Sequence, residues 1–239
     1  MCPPDLKKNQ LKPWLKACWV IPPKENADFV CVMEDILDVY QRTYAEDEVL
    51  VCMDETSKQQ VKETRIPLPM EAGSPERFDY EYERNGVSNL FMLSAPLEGW
   101  RRVKVTDRHT KQDWAQLIRE LVDEDFPDKK IILVMDNLNT HKLGSLYATF
   151  EPEEARRIAK RLEINYTPKH GSWLNIAEIE IGALSRQCLD RRIPDQDTLR
   201  AEINAWQEKR NQQAISVNWR FTTEDARVKL KSLYPSIQH

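Results

Sequence analysis

The stretch "KKIILVMDNLNTHK", from Lys129 to Lys142, is the part of the sequence that decides the fold. Five apolar residues, Ile131 to Met135, lead directly into Asp136, which predicts a buried strand ending on a carboxylate. A second stretch, "EVLVCMDETSK" from Glu48 to Lys58, repeats the pattern and reaches Asp54. If the two strands are parallel neighbours, about 4.8 Å apart, Asp54 and Asp136 lie side by side at one edge of a sheet.

The rest of the periodicity predicts an α/β protein with a mixed sheet flanked by helices. Two extended runs, 87–94 and 101–106, are joined by "APLEGW", whose Pro and Gly suit a hairpin. With the strand at 48–53 they form three antiparallel strands, and strand–helix–strand units then add parallel strands by right-handed crossovers. The polar, Pro-containing segment 56–85 is predicted to be a long loop. Helical periodicity covers 27–43, 111–126, 151–162, 173–190 and 196–213, and a last short strand is predicted at 163–168.

Composition narrows the possible functions. The chain has 239 residues, 41% of them hydrophobic, but no stretch approaches the roughly 18 apolar residues of a membrane helix. The first ten residues contain no apolar signal core, and the five cysteines form no CxxC pair, which argues against a zinc site or a disulfide framework. We therefore expect a cytoplasmic protein with no membrane partner. The net charge of −4 argues against a protein that depends on phosphate contacts alone, although metal-binding acids in a nuclease also lower the charge.

The paired strand ends suggest a metal site. Two carboxylates at strand spacing resist joint ionisation, and a divalent cation removes that penalty. Oxygen ligands without His or Cys suit Mg²⁺ or Mn²⁺, and two such ions about 3.5–4 Å apart can clamp the attacking and leaving oxygens of a phosphoryl transfer. The alternative is that each Asp only begins a turn or caps a helix, with "DNLNTH" a simple turn and His141 at a helix start.

A third acid is available in "TPKHGSWLNIAEIEIGALSRQCLDRR", which is predicted to be helical. Glu178 and Glu180 border its apolar stripe on opposite sides, and periodicity does not choose between them. For each of these two acids, the alternative to a role in the metal site is an ordinary solvent-exposed position on the helix. The stripe consists of Leu174, Ala177, Ile181, Leu184 and Cys188.

Three blocks of sequence together carry a resemblance to a known family. "VCMDETSK", "LVMDNLNTHK" and "TPKHGSWLNIAEIEIGALSRQ" resemble the bacterial insertion-sequence transposases of the mariner superfamily, which are DDE enzymes with a ribonuclease H-like catalytic domain. The resemblance extends from about Leu6 to the C-terminus. It implies that Asp54 and Asp136 are the first two catalytic acids. The family's third acid follows "SWLN" by three positions, which selects Glu178 over Glu180. The 41 residues between Asp136 and Glu178 exceed the usual spacing, and the extra length is assigned to "GSLYATFEPEEARR".

The resemblance also implies an activity. The three acids would hold Mg²⁺ or Mn²⁺, as two ions, for hydrolysis of a phosphodiester at the transposon end, and the freed 3′-hydroxyl would attack target DNA at a TA dinucleotide. Asn137 and His141 are accessory candidates, and His141 either contacts the scissile phosphate or orients Asp136. The expected partners are DNA and a second transposase chain, in a homodimer or with a full-length transposase, and DNA binding would place the protein at the nucleoid. Candidates for DNA-backbone contacts are Lys169, His170, Arg186, Arg191 and Arg192.

One departure from the family concerns the N-terminal part. The family has a helix-turn-helix DNA-recognition region before the catalytic domain, and no such region is evident here. We expect residues 1–45 to be a Pro-rich arm and a lead-in helix, and 46–239 to be the catalytic domain. The chain thus resembles a catalytic half of such an enzyme. The alternative function is a catalytically silent, truncated transposase that acts as a binding or regulatory partner.

Overall fold

A computed structural model describes residues 25–236, so most of the predicted Pro-rich arm lies outside the described part of the chain. The strands are β1 (Glu48–Glu63), β2 (Tyr82–Ala95), β3 (Trp100–Thr106), β4 (Lys130–Met135) and β5 (Leu162–Tyr166). The helices are α1 (Ala27–Gln41), α2 (Lys111–Glu120), α3 (Leu143–Tyr147), α4 (Pro152–Ala159), α5 (Ala177–Leu184), α6 (Gln196–Gln212) and α7 (Thr223–Lys229). Among residues 25–236, no helix combines the length and apolar character needed to span a membrane.

The five strands form one mixed sheet in the order β3-β2-β1-β4-β5. β2 pairs antiparallel with both β1 and β3, whereas β4 pairs parallel with β1 and β5 pairs parallel with β4. The predicted combination of three antiparallel strands with added parallel strands is therefore confirmed. So is the predicted parallel pairing of the strands that carry Asp54 and Asp136.

Helices cover both faces of the sheet because side chains alternate along each strand. In β1, Leu50 and Cys52 belong to a core shared with α1, α5, α6 and α7. Val49, Val51 and Met53 point the other way, into a core shared with α2, α3 and α4. The central strands are thus buried on both faces, which explains why β4 reads as an unbroken apolar run.

The first strand is longer than predicted, and the predicted 56–85 loop is correspondingly shorter. β1 continues past Asp54 to Glu63 and pairs with β2, which begins at Tyr82, so the two strands form a ribbon beyond the rest of the sheet. The sequence hid this ribbon because most of its side chains are partly or fully exposed and therefore polar. Within 64–81 only the isolated bridges Leu68–Arg77 and Glu71–Ser74 remain.

The helix predicted at 173–190 is broken into three pieces. A 3-10 turn at Ser172–Leu174 precedes α5, and a π-helical turn at Ser185–Leu189 follows it. The break at the start of α5 sets the direction of the side chains at its beginning, including Glu178. The short helices α3 and α7 were not predicted, because five- and seven-residue helices carry too few periodic positions to be recognised.

Candidate active site

Asp54 and Asp136 occupy equivalent positions on neighbouring strands. The parallel register pairs Cys52 with Val134, and continuing it by two residues sets Asp54 beside Asp136. β4 ends at Met135, so Asp136 lies at the strand end. Both acids line an open cavity of about 490 Å³, and Glu178 lines the same cavity. The structure thus brings the three sequence-predicted acids to one place.

Asn175 connects the start of α5 to the end of β1's buried segment. Its side-chain amide donates to the backbone oxygen of Met53 at 2.8 Å, and its side-chain oxygen accepts from the backbone N–H of Ala177 at 3.1 Å. The residue is 2% exposed. From α1, the hydroxyl of Tyr40 donates to the backbone oxygen of Leu174 at 2.7 Å. These bonds fix α5, and with it Glu178, relative to Asp54.

Glu180 points away from the cavity, into the protein core. Its side chain is 1% exposed and accepts two hydrogen bonds from Arg210, at 2.8 and 3.1 Å. Arg101 Nε, also buried, lies 3.2 Å from Glu180. The predicted alternative of an ordinary exposed position is therefore wrong for Glu180. Of the two acids that periodicity left open, only Glu178 lines the cavity.

The electrostatics of the cavity are unfavourable for a bare carboxylate at Asp54. The pKa of Asp54 is raised to about 6, chiefly by burial and in part by the negative charges of Asp136 and Glu178, while the backbone N–H of Glu55, 2.8 Å away, opposes the increase. A carboxylate whose pKa is raised by burial and by like charges in a cleft is typical of a site that binds a cation or moves a proton.

His141 lies behind Asp136 and is fully buried. Its Nδ1 is 2.7 Å from Asp136 Oδ1, and its Nε2 is 2.6 Å from Glu55 Oε1. Burial alone would lower the pKa of His141, but these two carboxylates outweigh it and raise the pKa to about 9. With both nitrogens engaged and the ring buried, His141 contacts Asp136 and not the cavity. Asn137, the other accessory candidate, lines the cavity directly.

The predicted DNA-contacting residues fall into two groups. Lys169 and His170 are exposed and line the cavity beside the acids, and His170 adopts a positive φ of 66° in the turn before α5. Arg186 is exposed on the π-helical turn after α5, and its guanidinium lies beside Gly182, one turn closer to Glu178. These three residues lie at the cavity or on the helix that leads to it.

Arg191 and Arg192 lie away from the cavity. Arg191 pairs with Glu202 on α6. Arg192 donates to Glu63 at 2.6 Å, and its guanidinium lies over the ring of Phe78 at 5.0 Å. Because Arg192 is 23% exposed and tied to Glu63 at the far end of the β1–β2 ribbon, its contacts are those of a structural residue.

The cavity has the donor chemistry of a hard divalent cation, with carboxylate and amide oxygens and no sulfur. Within residues 25–236, however, no three His, Cys, Asp or Glu side chains are arranged as a ready-made metal cage. Mg²⁺ is usually held by one or two carboxylates, waters and substrate phosphates, and not by such a cage. The residues therefore fit a Mg²⁺ site that substrate would complete, with the carboxylates of Asp54, Asp136 and Glu178 as the candidate ligands.

The family described as DDE superfamily endonuclease matches residues 49–200, which contain all three acids. The chain belongs to this family. Comparison with curated protein sequences finds no match.

Solved structures of Mos1 share the fold of this DDE family member. The Mos1 transposase paired-end complex with left transposon end is 14% identical with a TM-score of 0.56, covering 88% of this chain and 64% of that one. The Mos1 mariner paired end complex with Mn is 15% identical with a TM-score of 0.55, and the match covers 88% of this chain and 64% of that one. The paired end complex with Mg is 14% identical with a TM-score of 0.56, and the match covers 98% of this chain and 70% of that one. The predicted ribonuclease H-like fold is thereby confirmed, and the chain spans about two thirds of the length of its Mos1 neighbours.

Sequence reasoning missed several residues on which this site depends. Asn175 lies inside the quoted "HGSWLN" block, but no role was assigned to it. Glu55 directly follows Asp54, and Arg101 and Arg210 neutralise Glu180 from distant parts of the chain. No local pattern identifies such partners, because each contact joins residues at least 30 positions apart.

Proposed function

We propose that this chain is the catalytic part of a DDE transposase of the insertion-sequence type, which cuts DNA at transposon ends and joins the freed 3′-hydroxyl to target DNA. The observation that carries the proposal is the convergence of Asp54, Asp136 and Glu178 on one cavity in a family of endonucleases. Residues 46–239 form the proposed catalytic domain, and α1 packs against the same core. We propose that the protein is bacterial and cytoplasmic, and that it acts at the nucleoid.

Asp54 and Asp136 would hold two Mg²⁺ or Mn²⁺ ions, with Glu178 holding the second. When bound, such ions lower the pKa of the attacking water and neutralise charge on the phosphate. Because the pKa of Asp54 is about 6, cation binding would compete with a proton on this carboxyl at and below about pH 6, and less so at neutral pH. Asn175 keeps Glu178 at a fixed distance from the strands, so that the three acids act on the same phosphodiester.

Lys169 and His170 are the proposed first contacts with the DNA backbone, since they border the acids. Arg186 would extend this contact along α5. We propose transposon ends as the substrate and TA-containing DNA as the target. One of the similar Mos1 structures is a complex with its left transposon end, which supports a DNA substrate for this chain.

We also propose that two chains act together, as a homodimer or with a full-length transposase. The tip of the β1–β2 ribbon supports this, because Ile66, Met70 and Tyr80 are 94%, 77% and 84% exposed. Exposed apolar groups of this kind mark contact sites in proteins. Sedimentation of an Ile66→Ser/Met70→Ser variant should show a smaller species than wild type. Val228→Ser, at an exposed apolar position on α7, should not change the species, and identical sedimentation of all three proteins would contradict ribbon-mediated pairing.

A nicking assay tests the catalytic proposal. Supercoiled DNA is incubated with wild type, Asp136→Asn or Asp128→Asn in Mn²⁺, Mg²⁺ or EDTA. We expect nicking only with metal, a loss of at least about a hundredfold in Asp136→Asn, as for other groups that act directly on the transition state, and no change for the exposed Asp128. Nicking that survives in Asp136→Asn would reject the site. Mn²⁺ binding without any nicking would instead favour the silent regulatory chain.

A further inference from the structure

Glu55 has no place in the chemistry proposed above, yet it is linked to the second catalytic acid. Because side chains alternate along a strand, Glu55 points to the opposite face of the sheet from Asp54. It does not line the cavity, and its side chain is only 16% exposed. Its carboxylate lies 2.6 Å from His141 Nε2, and the other ring nitrogen lies 2.7 Å from Asp136. One imidazole thus joins the segment after β4 to the middle of β1.

The surroundings of His141 hold this bridge in one orientation. The ring is fully buried and stacks on the indole of Trp114, with centroids 6.0 Å apart and planes 28° from parallel. The hydroxyl of Tyr166 donates to the backbone oxygen of His141 at 2.8 Å. Each ring nitrogen therefore has one carboxylate oxygen within hydrogen-bonding distance, and the ring is held between Glu55 and Asp136.

The bridge determines what remains available on Asp136. Oδ1 is committed to His141, which leaves Oδ2 for the cavity. Without Glu55, the imidazole would lose the partner that fixes the orientation of its ring, and Asp136 would be held less firmly. Groups that orient metal ligands in this indirect way typically change metal affinity or activity by about 10–100-fold when they are removed.

We propose that Glu55 is a positioning residue, which acts through His141 to present one oxygen of Asp136 to the metal and the DNA phosphate. The inference rests on the proposed function, because it concerns the same site. Glu55 is not proposed as a metal ligand, since the strand geometry directs its carboxylate away from the cavity.

The test measures Mn²⁺ affinity of the full chain by electron paramagnetic resonance. Glu55→Ala should weaken binding about 10–100-fold. In a double-mutant cycle, Glu55→Ala should add little to His141→Ala, because the two residues act in series. Glu55→Gln, which can still accept from Nε2, should lose less than Glu55→Ala and serves as the second variant if Glu55→Ala does not fold. Glu63→Ala removes another ion-paired acid of β1, remote from the cavity, and should leave affinity unchanged.

A second measurement uses the metal-free protein. In ¹⁵N NMR of labelled histidine, both ring N–H groups of His141 should be protected from exchange in wild type, and Glu55→Ala should lose protection at Nε2. Equal Mn²⁺ affinity in wild type and Glu55→Ala, with affinity lost in Asp136→Asn, overturns this inference alone. Losses from Glu55→Ala and His141→Ala that add in full also overturn it, because Glu55 would then act independently. A wild-type chain that binds no Mn²⁺ overturns the proposed function and the inference with it.

Discussion

Two glutamates only two positions apart on α5 have opposite environments. Glu178 is exposed at the cavity, whereas Glu180 is buried against Arg101 and Arg210. A two-residue step on a helix turns the side chain by about 200°, so one acid faces the site and the other faces the core. Their substitutions should therefore separate function from stability.

Glu180→Gln should lower the free energy of unfolding by about 3–5 kcal/mol, because it leaves two arginines without their carboxylate in the core. Glu178→Gln should leave the free energy of unfolding within about 0.5 kcal/mol of wild type, as is usual for exposed positions, while it removes metal-dependent nicking. Urea denaturation followed by circular dichroism measures the first effect and the nicking assay the second. Equal stability of the two variants would show that the buried ion pairs do not support the fold.

Asp54 should make the metal-free protein less stable as pH rises. Its pKa is about 6 in the native state against an ordinary value of 3.8, so the native state holds a proton that the unfolded chain has released between these values. Stability attributable to this group is therefore greatest below about pH 4 and is lost as pH rises through 6.

The Asp54→Asn substitution removes this pH dependence. In EDTA the variant should have a free energy of unfolding up to about 3 kcal/mol above that of wild type at pH 7.5, with the difference shrinking towards pH 4. Thermal denaturation at several pH values measures this difference in stability. The control is Asp128→Asn, which changes an exposed acid. A difference that does not depend on pH would mean that burial of the charge is not the cause.

At the level of elements, the break between the 3-10 turn and α5 places the third acid. The break is held by Asn175, whose amide bonds to Met53 on β1 while its oxygen bonds to Ala177 at the start of the helix. An unbroken helix over 173–190, as the periodicity predicts, would have no such connection. The interruption therefore has a functional consequence, because it ties the helix to the strand that carries Asp54.

Asn175→Ala should lower the free energy of unfolding by about 1–3 kcal/mol, since it leaves a buried backbone oxygen without a donor. It should also slow nicking at saturating Mn²⁺, because Glu178 would no longer be held relative to Asp54. Asn165→Ala is the matched control, at a partly exposed Asn on β5 with a single long hydrogen bond of 3.4 Å. Loss of stability without any loss of rate would contradict the positioning role.

For the whole molecule, charge limits how strongly this chain can bind DNA. The net charge is −4, and Lys169 is one of few cations beside three acids. Affinity for DNA backbone grows with the number of phosphates neutralised and falls as salt increases. We therefore expect weak binding without sequence preference, and the proposed recognition of transposon ends would need DNA contacts beyond those of the cavity.

Gel-shift titrations with end-containing and scrambled duplexes at two salt concentrations measure the affinity for DNA, its sequence preference and its salt dependence. Lys169→Ala should weaken binding to both duplexes equally and reduce the slope of log affinity against log salt by about one. Lys160→Ala, at the exposed end of α4, is the control and should not change the slope. Tight, salt-resistant preference for the end sequence would place recognition within this chain.

The sequence by itself determined the elements whose patterns are local. Apolar runs gave β1 and β4, alternation gave β2 and β3, and the acid after each central run placed Asp54 and Asp136 at one sheet edge once parallel pairing was assumed. These inferences succeed for two reasons. A strand that is buried on both faces must be apolar along its whole buried length, and the carboxyl ends of neighbouring parallel strands lie at the same edge of the sheet.

Tertiary structure alone decided the rest. The ribbon formed by the ends of β1 and β2 has no apolar pattern, since most of its side chains are partly or fully exposed. Periodicity did not distinguish Glu178 from Glu180, and the burial of Glu180 follows from the positions of Arg101 and Arg210. The bridge from Glu55 through His141 joins residues 86 positions apart. Such pairings depend on the direction in which each side chain leaves the packed sheet, which no local spacing in the chain encodes.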